Sequence, residues 1–372
     1  MNYFLKCYGC QYNEWDAARI KSTLYHIGFH EASEKEAAVI FVVACAVRQT
    51  AVDRMIGKIR NWRRDGKKVI VSGCILDNDR KKLEKDNIAC WNNNKPEELI
   101  DMLKNCHFDS LRSKGGEILT EDLSTRISSL EMTKLLNNGN ASSAFLPIMI
   151  GCNNFCTYCA VPYTRGRETS REMDDIISDF KELVSKGHKE ITLLGQNVNS
   201  YSPPSGGGAE GGGTKPFTIL LHQLNSIPGD FVISFTSNHP KDMSDDIIMA
   251  VRDLPKVKKE IHLPLQSGSN KILKAMKRPY TKEQYLKLAD RIKSMIPEVK
   301  ILTDVIVGFP GETEEDFQET VDVFRKVGYH IAYNNKYSPR AGTKAFELDD
   351  PIPWEEKERR WRILNDISYY KK

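Results

Sequence analysis

Cys152, Cys156 and Cys159 fall in one short stretch, residues 151–168 (GCNNFCTYCAVPYTRGRE), in C-x3-C-x2-C spacing. Three thiolates this close can grip a metal centre from one side. A structural zinc site normally takes four closed ligands. Three suit a cube-shaped [4Fe–4S] cluster that keeps one iron open to something else; a zinc or other metal site, or three free thiols, are the alternatives.

Three further cysteines share a different property. Cys10 follows the apolar run 3–7, Cys45 follows 38–44 (AVIFVVA), and Cys74 follows 68–72 (KVIVS). If these runs are parallel strands, all three ends point to one sheet edge, where such folds place ligands. The three thiolates are then expected to converge as a second ligand set. A small buried apolar role explains one such cysteine well, but three at successive strand ends poorly. Cys7, Cys90 and Cys106 carry no such signal and read as bystanders.

The elements that must position these residues follow from periodicity. Over residues 1–106, helical patterns at 14–27, 50–64, 77–85 and 96–104 alternate with the three strands and a weak fourth at 88–91. Gly28 is the expected stop of the first helix. This alternation predicts an α/β domain with a doubly wound parallel sheet. Ser, Asn and Gly clusters mark 107–143 as an interdomain connection. In 144–372, strands are expected at 145–150, 190–194, 231–235, 260–263, 300–307 and 331–336. Helices are expected at 173–186, 218–225, 244–253, 282–294, 314–327 and from 354 onward. Six such units predict a partial (β/α)6 barrel with its chemistry at the carboxyl ends of the strands.

The triple-cysteine loop follows the first of these strands. Gln196, Asn197 and Asn199 follow the second, His239 the third, Gln266 and Ser267 the fourth, Gly308 and Gly311 the fifth, and Tyr337 to Arg340 the sixth. Such amides and hydroxyls can bind a polar ligand, and the two glycines could admit a flat ring to the backbone. Each loop alone is also explained by a turn and a helix cap, as with Thr313 before Glu314 and Glu315. Residues 202–214 (SPPSGGGAEGGGT) read as a flexible surface loop. Arg165, Arg167 and Arg171 lie just past the cysteine loop and could receive phosphates or a carboxylate, or make ordinary surface pairs. The last helix carries Lys357, Arg359, Arg360, Arg362, Lys371 and Lys372, either as a solvated face or as a phosphate-contacting one.

Bulk properties bound the rest. A chain of 372 residues allows two or three domains. A formal charge of +4 permits a nucleic-acid partner without requiring one. No apolar run approaches the ~20 residues that span a bilayer, and the start, MNYFLKCYGC, is too soon polar for a signal peptide. A cytoplasmic location is expected. There, nine cysteines point to metal ligands more than to disulfides.

With these residues assembled, the chain resembles the radical S-adenosylmethionine (SAM) methylthiotransferases, and within them the tRNA-2-methylthio-N6-dimethylallyladenosine synthase branch. The resemblance rests on Tyr8 to Asn13 (YGCQYN), residues 151–168 with Ser170 and Arg171, 193–201 (LLGQNVNSY), 262–268 (HLPLQSG) and 337–343 (YSPRAGT), and runs nearly the whole chain. It implies two [4Fe–4S] clusters. Cys152, Cys156 and Cys159 would hold the one that chelates SAM, with Tyr158 near the adenine; Cys10, Cys45 and Cys74 would hold an auxiliary cluster carrying the sulfur. Gln196, Asn197, Asn199, His239, Gln266, Ser267 and Gly308 are the candidate SAM or substrate contacts. No protein side chain is assigned as catalytic. The implied reaction adds a methylthio group to C2 of N6-dimethylallyl(isopentenyl)adenosine beside the tRNA anticodon and uses two SAM. An aromatic C–H has no acidic proton, so a radical must break it.

Implied partners are the anticodon stem-loop of tRNA and a reductant such as flavodoxin or ferredoxin, with no membrane and a monomeric chain. Rival substrates are N6-threonylcarbamoyladenosine in tRNA or a ribosomal-protein aspartate. An iron–sulfur electron carrier or an RNA-binding protein is the reading from another class, but a carrier would not need six polar loops around an open iron. The family usually continues into a small RNA-binding β-barrel, which this chain is expected to lack. Ala44 and Ala46 flank Cys45 where the family usually has polar residues.

Overall fold

The most apolar run of the chain, VIFVVA, forms β3 (Val39–Ala44), and every residue of it is buried. Its β-branched side chains favour a strand, and burial on both faces requires a central one. In the computed structural model, which describes residues 1–26, 28–46, 49–92, 102, 142–206 and 214–369, the chain divides into two units, Met1–Phe145 and Leu146–Lys372. The first unit holds a five-stranded, all-parallel sheet in the order β2-β1-β3-β4-β5. Its other strands are β1 (Asn2–Cys7), β2 (His30–Glu31), β4 (Lys68–Gly73) and β5 (Ala89–Cys90).

Helices cover both faces, as the period-2 alternation of β3 demands. Val39, Phe41 and Val43 pack with Ile20 and Leu24 of α1 (Gln11–His26). Ile40 and Val42 pack with Met55, Ile59 and Trp62 of α2 (Gln49–Arg64) and Leu83 of α3 (Asp77–Lys85). The sheet is doubly wound, as expected. Its winding reverses between β1 and β3, the place where open α/β sheets bind ligands. The sequence reading began α1 late and missed β2, a two-residue strand too short for a periodic signal. All of the expected helix at 96–104 but residue 102, together with Cys106 and nearly all of the connection at 107–143, lies outside the described residues.

β6 (Ser143–Pro147) leads into the second unit and joins β9 (Glu190–Leu194) and β10 (Val232–Phe235) in the order β10-β9-β6. A second parallel set runs β11-β12-β13, from β11 (Glu260–His262), β12 (Lys300–Val307) and β13 (Ile331–Lys336). A parallel bridge between Ile233 and Val257 links β10 to the approach of β11. The six strands therefore follow in chain order, as a partial barrel requires. Between them lie α4 (Val161–Thr164), α5 (Met173–Ser185), α6 (Pro216–Ser226), α7 (Asp245–Asp253), α8 (Asn270–Ala275), α9 (Lys282–Met295) and α10 (Glu314–Val327), with α11 (Trp354–Tyr369) last. Thr313 caps α10 in a reciprocal box with Asp316.

The expected strand at 145–150 is in fact two. Pro147 closes β6, and β7 (Met149–Ile150) turns aside to pair antiparallel with β8 (Thr169–Ser170). That small ladder closes the base of the cysteine loop. No helix among the described residues is long and apolar enough to cross a membrane.

Gly73 tests how tightly the β4 end is built. Its φ is +90°, and a Cβ there would stand 2.7 Å from the Ala44 carbonyl oxygen. Gly66, with φ +78°, has nothing within 4 Å. In urea unfolding, Gly66→Ala should cost about 1 kcal/mol, the left-handed backbone term alone. Gly73→Ala should cost about 3 kcal/mol, because the β3–β4 ladder must also yield.

Candidate metal centres and cofactor site

The upstream cysteines meet where β1, β3 and β4 end. Gly9 has φ +120°, and a Cβ on it would lie 2.9 Å from Cβ of Cys45, so the loop after β1 can rest against Cys45 only because this residue is glycine. Asn13, buried in the first turn of α1, donates from Nδ2 to the carbonyls of Tyr8 and Ala44, both at 2.7 Å. One amide thus ties two strand ends together. Its Oδ1 accepts from Sγ of Cys10 at 3.9 Å and Sγ of Cys74 at 3.8 Å. The Cys74 amide donates to the Ala44 carbonyl at 3.0 Å. Cys10 also accepts, through its carbonyl, from the Glu14 amide that opens α1, and a helix N-terminus is a favourable place for an anion. Cys7 and Cys90 pack into the two cores. Burial, then nearby carboxylates and thiols, pushes the Cys7 thiol up to about 12, and burial takes Cys90 to about 11.

The downstream loop is folded by its backbone. Gly151 has φ +82°, and a Cβ on it would collide with the Arg167 carbonyl. The Cys152 amide donates to Gly166 at 3.2 Å, and that of Cys159 to Cys156 at 3.0 Å. Thr157 anchors the loop to the end of α8 through Met276 and Ala275. Cys152 and Cys156 are buried. Asn154 directs its amide and its Nδ2 at Sγ of Cys152, each 3.5 Å away. Nη1 of Arg278 points at Sγ of Cys156 from 3.4 Å. Donors aimed at sulfur suit thiolate ligands. Burial opposes ionisation, raising Cys152 and taking Cys159 up to about 12, so a bound metal must displace protons.

All eight described cysteines are free thiols. Among the described residues, no three His, Cys, Asp or Glu side chains gather closely enough to share one metal ion. Thiolates on a single zinc stand about 2.3 Å from it, whereas those of a cluster bind separate irons. Three cysteines at each site are one ligand short of a closed zinc site and suit a cluster whose thiolates bind separate irons.

The strand-end loops divide by task. Oε1 of Gln196 accepts from the Gly151 amide at 2.6 Å and so fixes the cysteine loop. Asn199 exchanges both ends of its amide with the His239 backbone, at 3.0 and 2.9 Å, which makes it a tie between loops. Ser267 is fully buried and accepts from the Ser269 amide at 3.2 Å, a turn contact. Gly308 has φ +69°, and the close approach it permits is made by Lys357, whose Cγ would lie 2.4 Å from a Cβ there; the corresponding side of Gly311 is open. Tyr158 packs with Ile272, Met276, Phe309 and Tyr337, and burial, then Cys156, raises its hydroxyl pKa.

In two of these residues a polar side-chain atom is buried without a partner among the described residues. Asn197 donates from Nδ2 to Asp242 at 2.9 Å, but its Oδ1 is buried without a partner among the described residues. Nδ1 of His239 accepts from the Lys241 amide at 3.2 Å. The neutral ring therefore carries its proton on Nε2, which is likewise buried and unpartnered. Burial, then Arg278 and Lys241, drives the His239 pKa down to about 2. Gln266 adopts φ +68°, Ser237 +63° and Phe155 +45°. Such backbone is strained for residues with a side chain, and strain of this kind gathers at functional sites.

Sequence reasoning missed a buried group beside the cysteine loop. Nε of Arg278 donates to the Tyr280 hydroxyl at 2.9 Å, and that hydroxyl reaches the carbonyls of Pro264 and Leu265. It also missed His262, whose Nδ1 accepts from the Ser237 amide at 2.9 Å and whose Nε2 donates to Asp304 at 2.6 Å. Lone polar residues such as these look alike in sequence whether they face solvent or the core.

The basic residues are mostly committed. Arg171 pairs with Asp179 at 2.7 Å, Arg165 is buried, and exposed Arg167 lies over the Phe155 ring. On α11, Lys357 is buried against Asp350 and Arg360 against Glu312 and Glu356. Arg359 and Arg362 pair with glutamates as well. For Lys357 and Arg360 this corrects both expectations, since they form neither a solvated face nor one free for phosphate. Lys371 and Lys372 lie outside the described residues.

Residues 146–324 match the radical SAM superfamily, and residues 2–91 match the uncharacterized protein family UPF0004. The chain is 42% identical to the tRNA-2-methylthio-N(6)-dimethylallyladenosine synthase of Thermoanaerobacter pseudethanolicus, over 99% of this chain and 79% of that protein. It is 41% identical to the protein of the same name from Syntrophomonas wolfei, over 99% of this chain and 82% of that one. A similar solved structure is the radical S-adenosylmethionine methyltransferase TsrM from Kitasatospora setae, with TM-score 0.60 and 12% identity over 90% of this chain and 72% of that one. The cobalamin-dependent S-adenosylmethionine radical enzyme OxsB gives TM-score 0.56 and 11% identity over 99% of this chain and 56% of that one. At such identities these two likenesses speak for the fold alone.

The buried amides and imidazole make measurable predictions. Asn13→Ala strands the Tyr8 and Ala44 carbonyls and should cost about 1–3 kcal/mol in denaturant unfolding. His239 is neutral in the folded chain, with a pKa near 2, while the unfolded chain takes up that proton below about 6.5. The stability it contributes is therefore full above about pH 6.5 and declines as pH falls. Thermal melts from pH 7.5 to 5 should show a shallower decline for His239→Gln than for the wild type.

Proposed function

The chain belongs to the tRNA-2-methylthio-N(6)-dimethylallyladenosine synthase family, and we propose that it adds a methylthio group to C2 of N6-dimethylallyladenosine beside the tRNA anticodon, using two [4Fe–4S] clusters and two SAM. The observation that carries this reading is the pair of three-cysteine sets at strand ends, Cys10 and Cys74 about one Asn13 oxygen with Cys45 beside them, and Cys152, Cys156 and Cys159 on one loop. Three ligands leave one iron of a cluster open. The downstream cysteines would thereby leave a place for SAM, and the upstream ones a place for the sulfur.

Cys152, Cys156 and Cys159 would hold a cluster that, when bound, would supply one-electron chemistry for the reductive cleavage of SAM. The residues of the chain bind and aim. Gln196 fixes the cysteine loop through the Gly151 amide. Oδ1 of Asn197 and Nε2–H of His239 offer one acceptor and one donor, a pair suited to the amino and carboxylate groups of SAM or to an adenine edge. A neutral imidazole donates there without adding a second cation beside Arg278. Tyr158, Gln266 and Gly308 lie on the same strand-end loops, while Asn199 and Ser267 support them from behind.

The same reading includes the anticodon stem-loop as the tRNA element bound, a one-electron donor such as flavodoxin or ferredoxin, a monomeric chain and a cytoplasmic location. The shared name of the relatives favours the prenylated adenosine over threonylcarbamoyladenosine or a protein aspartate.

Anaerobic reconstitution should load about eight irons per chain. Replacing Cys152, Cys156 and Cys159 by Ala should halve that count, as should replacing Cys10, Cys45 and Cys74; an intact protein holding about four would overturn the two-cluster reading. Mass spectrometry of tRNA nucleosides from cells lacking the gene should show the prenylated adenosine in place of its 2-methylthio form. Unchanged 2-methylthio nucleosides would overturn the substrate assignment.

A further inference from the structure

Arg278 is a cation buried without an anion. It is 8% exposed. Its Nε donates to the Tyr280 hydroxyl at 2.9 Å, its Nη2 to the Pro264 carbonyl at 3.4 Å, and its Nη1 points at Sγ of Cys156 from 3.4 Å. The guanidinium also lies 5.0 Å from the centre of the Tyr280 ring. Among the described residues, no carboxylate forms an ion pair with it. Arg360 and Lys357, buried to a similar degree, face Glu312 and Asp350. A guanidinium does not shed its proton, and a buried charge without a counter-charge is strongly disfavoured. Burial holds the proton on the Tyr280 hydroxyl, so the acceptor within reach that a bound metal centre would hold as an anion is the Cys156 sulfur, 3.4 Å from Nη1.

We propose that Arg278 is the counter-charge of the cluster held by Cys152, Cys156 and Cys159, and that it raises the reduction potential of that cluster. The proposal rests on reading this loop as a cluster site. Nη1–H donates to the Cys156 thiolate. An electron arriving from a one-electron donor adds negative charge to the cluster, and a fixed cation in a low-dielectric pocket stabilises that charge more than the oxidised state. The Tyr280 hydroxyl and the Pro264 carbonyl hold the guanidinium in place, so no reorganisation is needed when the electron arrives. His239, whose ring stands 5.9 Å from that of Tyr280, contributes no competing charge because it is neutral. Arg278 acts through the cluster and is a positioning residue, not a catalytic one.

The test is a potentiometric titration with dithionite, followed by electron paramagnetic resonance, on the reconstituted 372-residue chain. The cluster on the upstream cysteines serves as internal standard. Arg278→Met should keep its iron but show a reduced-to-oxidised ratio about tenfold lower at the wild-type midpoint, a shift of about 59 mV for one electron. The upstream signal should not move. Arg278→Lys, which keeps the charge, should recover most of the shift. Should Arg278→Met lose iron, Arg278→Lys and Arg278→Gln decide: a lower potential for Gln than for Lys supports the counter-charge, and equal potentials overturn it. Full iron with an unchanged potential in Arg278→Met overturns this proposal alone, including the case where only SAM binding weakens. An iron count indifferent to loss of Cys152, Cys156 and Cys159 overturns the cluster reading and this proposal with it.

Discussion

A buried thiol resists ionisation, yet a thiolate-held metal centre requires it. Much of the local structure follows from that conflict. Both units place their cysteines at the carboxyl ends of parallel strands, where loops, helix starts and backbone amides are close by. The downstream loop surrounds sulfur with donors from Asn154 and Arg278. The upstream set stands beside the start of α1 and the polar head of Asn13. The downstream fold keeps solvent off Cys152 and Cys156, and both sites leave polar partners that an anion can use.

The two units reach this end by the same device, a single amide that clamps a loop. Asn13 joins the ends of β1 and β3 through two carbonyls. Gln196 holds the first residue of the downstream loop through one amide hydrogen. Glycines with left-handed backbone make both clamps possible, Gly9 by letting Cys45 come close and Gly151 by letting the Arg167 carbonyl come close. Side chains at those two positions would collide with the structures that carry the ligands.

Much of this was legible in sequence because it is written in short-range patterns. The observed bounds of the strands at 190–194, 300–307 and 331–336 match the expected ones, and 300–307 carries a strict alternation of buried and less buried residues. Convergence of Cys10, Cys45 and Cys74 followed from strand order alone. What escaped depends on contacts between distant segments. The partner of Gly308 comes from α11, so a glycine suited to a flat ligand instead receives Lys357. Asn199 has the composition of a ligand contact, but its amide is spent on the His239 backbone. Arg278 follows a helix too short to announce itself, and nothing in its neighbours distinguishes a buried guanidinium from a solvated one. The basic residues of α11 show the same limit, because their acidic partners Glu312 and Asp350 precede the helix.

The raised thiol of Cys159 and the burial of Cys152 and Cys156 have a bearing on the chain before any metal arrives. Oxidants and alkylating agents attack the thiolate far faster than the thiol. A loop whose Cys152 and Cys159 thiols are raised, and whose Cys152 and Cys156 are buried, is chemically quiet while it waits. Cys10 is exposed and lacks that cover. In air, then, the two sets should age differently, with exposed Cys10 failing first and the downstream loop outlasting it.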